Sequence, residues 1–178
     1  TDVWSVGIAD AADLSKWHYD GTQWKKDPQR VSTNLTTVFG FAQNDVWTSE
    51  APGGRFWRYD GSRWNNAGTF SVPSYSLTYL TNIWGESSND IFCVGAVSVS
   101  GGSSYKGIIL HYDGNNWMYV NIPEERVVFT WIRCDILGTG KYYLTAERTE
   151  PTGDTTKIFE LNGTTLKLIY ETANELGA

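Results

Sequence analysis

One block of residues recurs along this chain and limits what it can fold into. The block opens at Asp2-Val3-Trp4-Ser5-Val6-Gly7, again at Asn44-Asp45-Val46-Trp47, and again at Asn89-Asp90-Ile91-Phe92-Cys93-Val94-Gly95. It continues with His18-Tyr19-Asp20-Gly21, Arg58-Tyr59-Asp60-Gly61 and His111-Tyr112-Asp113-Gly114, and closes on Trp24, Trp64 and Trp117. A leading element, Thr37-Val38-Phe39-Gly40 or Thr81-Asn82-Ile83-Trp84-Gly85, precedes the second and third copies but not the first. A degenerate fourth copy runs from Trp131-Ile132 through Lys141-Tyr142-Tyr143-Leu144 to Leu161-Asn162-Gly163, with Leu166 in the closing Trp position. The second-strand position falls at 2, 45, 90 and 141, and the turn position at 20, 60, 113 and 162. A period of 40–50 residues with four short strands per unit predicts an all-β chain, a β-propeller of about four blades of four antiparallel strands. The expected blades are approximately 1–34, 35–78, 79–126 and 127–171 of one domain, 1–178.

Each recurring piece has a physical role. Asp-Gly or Asn-Gly between two strand-like runs is a hairpin signal, because these residues tolerate the backbone angles of tight turns. That also accounts for Asn162-Gly163-Thr164 without a glycan; Asn34-Leu35-Thr36 is the other chance match to the sequon. In Asp90-Ile91-Phe92-Cys93-Val94 both faces are apolar, the pattern of a strand buried on both sides between blades. The small residue at Ser5, Thr48 or Cys93 leaves room for a neighbour's ring. Nine Trp, ten Tyr and seven Phe are many rings for 178 residues, and sheet surfaces accommodate them well. Their repetition points to packing within and between blades. Positions 96–106, rich in Ser and Gly, read as an insertion between the second and third strands.

A formal charge of −6 with no Lys/Arg cluster argues against a nucleic-acid or anionic-membrane surface. No window approaches eighteen apolar residues, so no membrane span is expected. No signal-peptide pattern starts at Thr1, which fits a mature or trimmed chain. Cys93 and Cys134 fall at non-equivalent repeat positions and read as two separate thiols, with one bridge between neighbouring blades as the alternative. After the fourth strand of the last copy only 171–178 remain to supply the inner strand that the first copy lacks. Thr172-Ala173-Asn174-Glu175-Leu176-Gly177-Ala178 has neither the β-branched residue nor the ring of Ile83-Trp84. Additional blades or self-assembly are therefore expected rather than closure into a four-bladed ring.

The Tyr-Asp-Gly-x-x-Trp element resembles the hairpins of kelch repeats and of the Asp-box in sialidase-like propellers. The whole pattern resembles Trp-rich Asp-Val-Trp-x-Val-Gly … His-Tyr-Asp-Gly-x-x-Trp repeats of uncharacterised secreted or surface proteins of bacteria. The resemblance implies a propeller fold and an extracellular or cell-surface location. Propellers host enzymes, lectins and scaffolds alike, so it says little of activity.

No catalytic constellation, metal ligand set or cofactor motif is present. His18 and His111 occupy equivalent places in different copies, and no Cys-x-x-Cys or His-Glu-x-x-His spacing exists. Arg30, Arg55, Arg63, Arg126, Arg133 and Arg148 share no repeat position from which to clamp a carboxylate. Asp135 and Glu86 are the carboxylates a glycosidase would use, and solvated loop charges explain them equally. The expected ligand-binding residues lie where inner strands turn into second strands: Phe41, Asn44, Glu86, Asn89 and Asp135. The reading is a non-enzymatic extracellular binding or structural module, with glycans or a protein as partner. A polysaccharide-active hydrolase or lyase is the alternative.

Overall fold

The computed structural model describes residues 2–8, 16–32, 34–99, 105–150 and 153–173. Its strands are β1 (Val3–Val6), β2 (Lys16–Tyr19), β3 (Trp24–Lys26), β4 (Leu35–Ala42), β5 (Asp45–Glu50), β6 (Arg55–Tyr59), β7 (Trp64–Thr69) and β8 (Leu77–Ser87). There follow β9 (Asp90–Ser98), β10 (Tyr105–Tyr112), β11 (Trp117–Tyr119), β12 (Val128–Cys134), β13 (Lys141–Glu150), β14 (Gly153–Asn162) and β15 (Thr165–Ala173). They form four antiparallel meanders in chain order, β1-β2-β3, β4-β5-β6-β7, β8-β9-β10-β11 and β12-β13-β14-β15. The fold is a β-propeller, and the meanders are its blades. The first blade is three-stranded among the described residues, as its sequence copy implies.

The Tyr-Asp-Gly turns share one geometry. Asp60 Oδ1 accepts from the amides of Ser62 (2.8 Å) and Arg63 (2.9 Å). Asp20 does the same for Thr22 and Gln23, and Asp113 for Asn115 and Asn116. The hydroxyls of Tyr19, Tyr59 and Tyr112 donate to the carbonyls of Gly21, Gly61 and Gly114 at 3.1, 3.0 and 2.9 Å. Those glycines sit at φ of 97, 95 and 94°, angles that side-chain-bearing residues avoid. The bonds hold all three carboxyls well below the usual range: Lys25 and then Thr22 act on Asp20, Ser62 and the turn amides on Asp60, and the Asn116 and Asn115 amides on Asp113. A folded-state pKa depressed below the unfolded value of about 3.9 stabilises fully above about pH 4, and the contribution disappears as pH falls through the depressed values. The Tm should therefore drop in acid. A triple Asp20→Asn, Asp60→Asn, Asp113→Asn variant keeps an acceptor at each turn and should show a shallower fall in a pH series by scanning calorimetry.

A second recurring unit crosses from the second strand to the third. His18 Nε2 lies 2.9 Å from Asp2 Oδ1 and His111 Nε2 lies 2.7 Å from Asp90 Oδ1. In the second blade Arg58 Nε donates to Asp45 Oδ1 at 2.7 Å. The fourth blade reverses the polarity, with Lys141 Nζ 3.1 Å from Glu160 Oε2. Each base also covers the ring between the pair in the first three blades. His18 stacks on Trp4 (4.3 Å, 8°), Arg58 lies over Trp47 (5.3 Å), and His111 stacks on Phe92 (4.5 Å, 23°). The swap of Asp for Lys at 141 and of His for Glu at 160 is thus one compensated change.

The blades are joined by packing and by threonines. Two buried clusters fill the second-to-third and third-to-fourth interfaces, one around Trp47, Phe56, Ile83 and Ile91 and the other around Phe92, Phe129, Ile132 and Leu144. β9 is buried along nearly its whole length, as its two apolar faces imply. β4, β8 and β12 each carry a register shift, between Leu35 and Thr37, Leu80 and Asn82, and Phe129 and Trp131. The extra residue is Thr36, Thr81 or Thr130. The Thr36 hydroxyl donates to the Leu80 carbonyl of the next blade (2.6 Å), and that of Thr81 to the Phe129 carbonyl (2.5 Å). Bulges that re-aim a side chain in this way are common where sheets bend.

The structure differs from the sequence reading at two places. Ala96, Val97 and Ser98 continue β9, and Tyr105 and Lys106 begin β10, with Ser98 opposite Tyr105. The insertion is shorter than positions 96–106 because this hairpin extends to match the eleven-residue β8, burying Val97 and Ser98. Thr172 and Ala173 pair with Thr156 and Thr155 in the outer strand β15. Positions 174–178, on which closure by the tail depends, lie outside the described residues. Cys93 and Cys134 are both free thiols, Cys93 fully buried.

Candidate functional site

Phe41, Asn44, Glu86, Asn89 and Asp135 all lie where a first strand turns into a second, but they divide into two groups. Asn44 and Asn89 are exposed residues beneath the Asp-Gly turns: a methyl group on Gly61 would lie 2.9 Å from Asn44 Cβ, and one on Gly114 3.1 Å from Asn89 Cβ. Phe41, Glu86 and Asp135 follow one another from blade to blade at the inner ends. The Phe41 ring packs against the Gly85 backbone, next to Glu86. Glu86 and Asp135 both raise the pKa of Cys134, after burial as the leading cause. Burial first, then the charges of Asp90 and Glu86, push the Tyr142 hydroxyl up to about 12. Asp135 accepts from the amides of Leu137 (3.1 Å) and Thr139 (3.0 Å) and from the Thr139 hydroxyl, which ties its carboxylate to its own loop.

A pocket of about 410 Å³ opens between the first and second blades, and Phe41 is the only one of the five to line it. One wall is Asp2, Val3 and Trp4 of the first blade; the other is 38–42 of β4, Gln43 of the turn after it and Val46 of β5. The pocket lies beside β1, which pairs with β2 alone among the described residues, whereas β5, β9 and β13 pair on both sides; just past β1 the Leu35 amide donates to the Gly7 carbonyl at 3.2 Å. Val3, Trp4, Val38, Gly40, Gln43 and Val46 were not singled out in the sequence. As strand and turn residues of the repeat they carry no signal of their own for a pocket.

The same place in the other interfaces is filled by a ring. Phe39 stands opposite Trp47 in the strand register and packs on the cluster holding Trp47, Ile83 and Ile91. Trp84 stands opposite Phe92, packs on the cluster holding Phe92 and Ile132, and meets Tyr142 edge-on at 6.1 Å. The positions equivalent to both trios are Trp4, Val38 and Val46, and all three line the pocket.

What the pocket offers is a wall of aromatic and aliphatic side chains interspersed with polar surface. Asp2 is its one carboxylate, and it is engaged by His18, in a pairing that recurs at Asp90 and His111 away from the pocket. Among the described residues no three His, Cys, Asp or Glu side chains gather to hold a metal ion.

No protein-family model and no curated protein matches this chain. Among solved structures it is similar to YCF48 bound to D1 peptide, with a TM-score of 0.56 and 15 % sequence identity over 96 % of its own length. The chain spans 50 % of that chain. At this identity the likeness is one of fold, that of a β-propeller.

Proposed function

We propose that this chain is a protein-binding propeller module without catalytic chemistry of its own, and that the recess between its first two blades is where it holds a partner. The observation that carries the reading is the pocket of about 410 Å³ between the first two blades, with Trp4, Val38, Phe39, Phe41 and Val46 around it. That volume is in the range of ligand sites, and its lining combines aromatic and aliphatic side chains with polar surface. The similar structure of YCF48 holds a peptide, which supports a polypeptide partner over a glycan.

The test is selection of a random peptide library on the immobilised chain, run beside a glycan array. Selected peptides should bind the parent and lose binding to Gly40→Leu. A side chain at Gly40 meets Val46 at 3.5 Å, an ordinary contact, so the variant fills the pocket without straining the backbone. Glycan capture without peptide capture, or peptides indifferent to Gly40→Leu at unchanged Tm, would refute the reading.

A further inference from the structure

We infer that Asn162 is a self-modification site: its side chain closes on the Gly163 amide to form a succinimide, which water opens to aspartate or isoaspartate.

The chemistry asks for a side-chain carbonyl with a leaving group, a following amide nitrogen that reaches it, and room for the ring. Asn162-Gly163 is the one Asn-Gly step in the chain. The Gly163 nitrogen bonds to Asn162 Cγ, its proton leaves with the side-chain nitrogen as ammonia, and a five-membered imide remains. Water then adds at either imide carbonyl. Opening at one leaves an aspartate side chain. Opening at the other routes the main chain through Cβ and Cγ and adds a methylene to the backbone. One water enters and one ammonia leaves, and nothing is oxidised or reduced. Asparagine is counted among the thermolabile residues of proteins.

The structure sets this step apart from the three Asp-Gly turns. Those are longer loops in which the Asp carboxylate accepts from the amides two and three residues on. Ring closure at an Asp expels water and so needs the protonated carboxyl, a form that the depressed pKa values withhold near neutral pH. At Asn162 the ladder of β14 and β15 closes on the Asn162–Thr165 pair, and only Gly163 and Thr164 lie between. The Gly163 amide is beyond that ladder. Turning Asn162 into line for attack opens the last pair of a hairpin, where strands part most readily. Positions 162–165 are all exposed, and a methyl group on Gly163 (φ 59°) would meet nothing within 4 Å. Among the described residues no hydrogen bond ties the Asn162 side chain, whereas those of Asn65, Asn66 and Asn82 are tied to Asp60, Gly68 and Ile132.

The products alter the fourth blade. Asn162 stands opposite Lys141, whose ammonium lies 3.1 Å from Glu160. An aspartate sets a second carboxylate across from that ammonium and adds one negative charge to the formal −6. An isoaspartate lengthens the backbone beside Thr165 and Lys141 and breaks the register of both pairs. The hairpin thereby records the age of the molecule.

The experiment holds the 178-residue chain in warm, mildly alkaline buffer and samples it over weeks by isoelectric focusing and mass analysis of the tryptic peptide 158–167. Isoaspartate is read separately, as methyl groups taken from S-adenosylmethionine through a protein isoaspartate methyltransferase. A more acidic species should grow at a rate independent of protein concentration, with the mass change of amide to acid in 158–167. The rate there should exceed that of every other asparagine peptide by at least about tenfold, a difference in activation barrier between Gly and bulkier following residues. Asn162→Gln should remove the acidic species and leave the Tm unchanged. Persistence of that species in Asn162→Gln, or equal rates at other asparagines, overturns the proposal. Reaction at 162 seen only in urea also overturns it, because the ladder then holds Asn162 out of reach. Aspartate formed without isoaspartate excludes the imide route, since direct hydrolysis gives aspartate alone.

Discussion

Gly95→Ala is expected to destabilise the protein by about 3 kcal/mol, the upper part of the range for overpacking, whereas Gly7→Ala changes stability by less than about 0.5 kcal/mol. The two glycines hold the same place in the first and third copies of the repeat. Gly95 is opposed by Leu80, beside the bulge at Thr81, and the β8 backbone passes so close that a Cβ would lie 2.9 Å from the Tyr79 carbonyl carbon. Backbone atoms of a paired strand cannot swing aside as a side-chain tip can. Relief requires breaking the ladder between β8 and β9, and with it the bulge that lets Thr81 reach Phe129. Among the described residues nothing lies within 4 Å of a methyl group added at Gly7. Urea unfolding of both variants reads the contrast, and equal losses would show that the glycines serve the second strand itself rather than its approach to an inner strand.

The second large effect concerns the closing tryptophans. Trp64→Ala should cost about 3–5 kcal/mol and Trp24→Ala less than about 1 kcal/mol, although both end a Tyr-Asp-Gly-x-x-Trp hairpin. Each ring folds back on the Tyr of its own turn, Trp24 on Tyr19 at 5.5 Å and Trp64 on Tyr59 at 5.4 Å. The difference is the preceding blade. Trp64 is 2 % exposed because Trp4 meets it edge-on at 5.1 Å and the Lys16 ammonium lies 6.0 Å from its ring. Gln29 fastens its backbone on both sides, donating to the Trp64 carbonyl and accepting from the Trp64 amide, each at 2.6 Å. Trp117 is held likewise against Phe56 (3.8 Å, 9°) of the blade before it. Trp24 belongs to the first blade and is 48 % exposed. Thermal unfolding of the two alanine variants measures this, and a large loss at Trp24 would mean that the hairpin contact carries the energy.

The candidate site was legible only in part. Phe41 was recognisable because loops at one end of a blade are placed by the repeat itself, but Asn44 and Asn89 come from the same argument and serve as floors for neighbouring turns. Val38 and Val46 carry no signal as residues. A Val in a strand reads as core, and whether a ring covers it depends on a strand from a different copy. The acid–base pairs were half visible: His18 and His111 stood out as equivalent, while Arg58 and the inverted Lys141–Glu160 pair became equivalent only once the register put the second and third strands side by side.

The sequence by itself determined the all-β class, the four units, the three Asp-Gly hairpins and the incomplete first copy. Each of these is written in residues close along the chain: a turn needs its Asp and Gly adjacent, a strand needs alternation, and a repeat shows by comparison with itself. Tertiary structure alone decided which equivalent residues are buried and which are open. Trp24 and Trp64, Gly7 and Gly95, and Val3 and Val46 are paired by sequence and separated by burial or close approach, because what covers each one is contributed by a neighbouring strand or blade. A propeller repeat encodes its own sheet locally, but the faces of that sheet are completed by segments some 45 residues away, and only the assembled blades show which of them are covered.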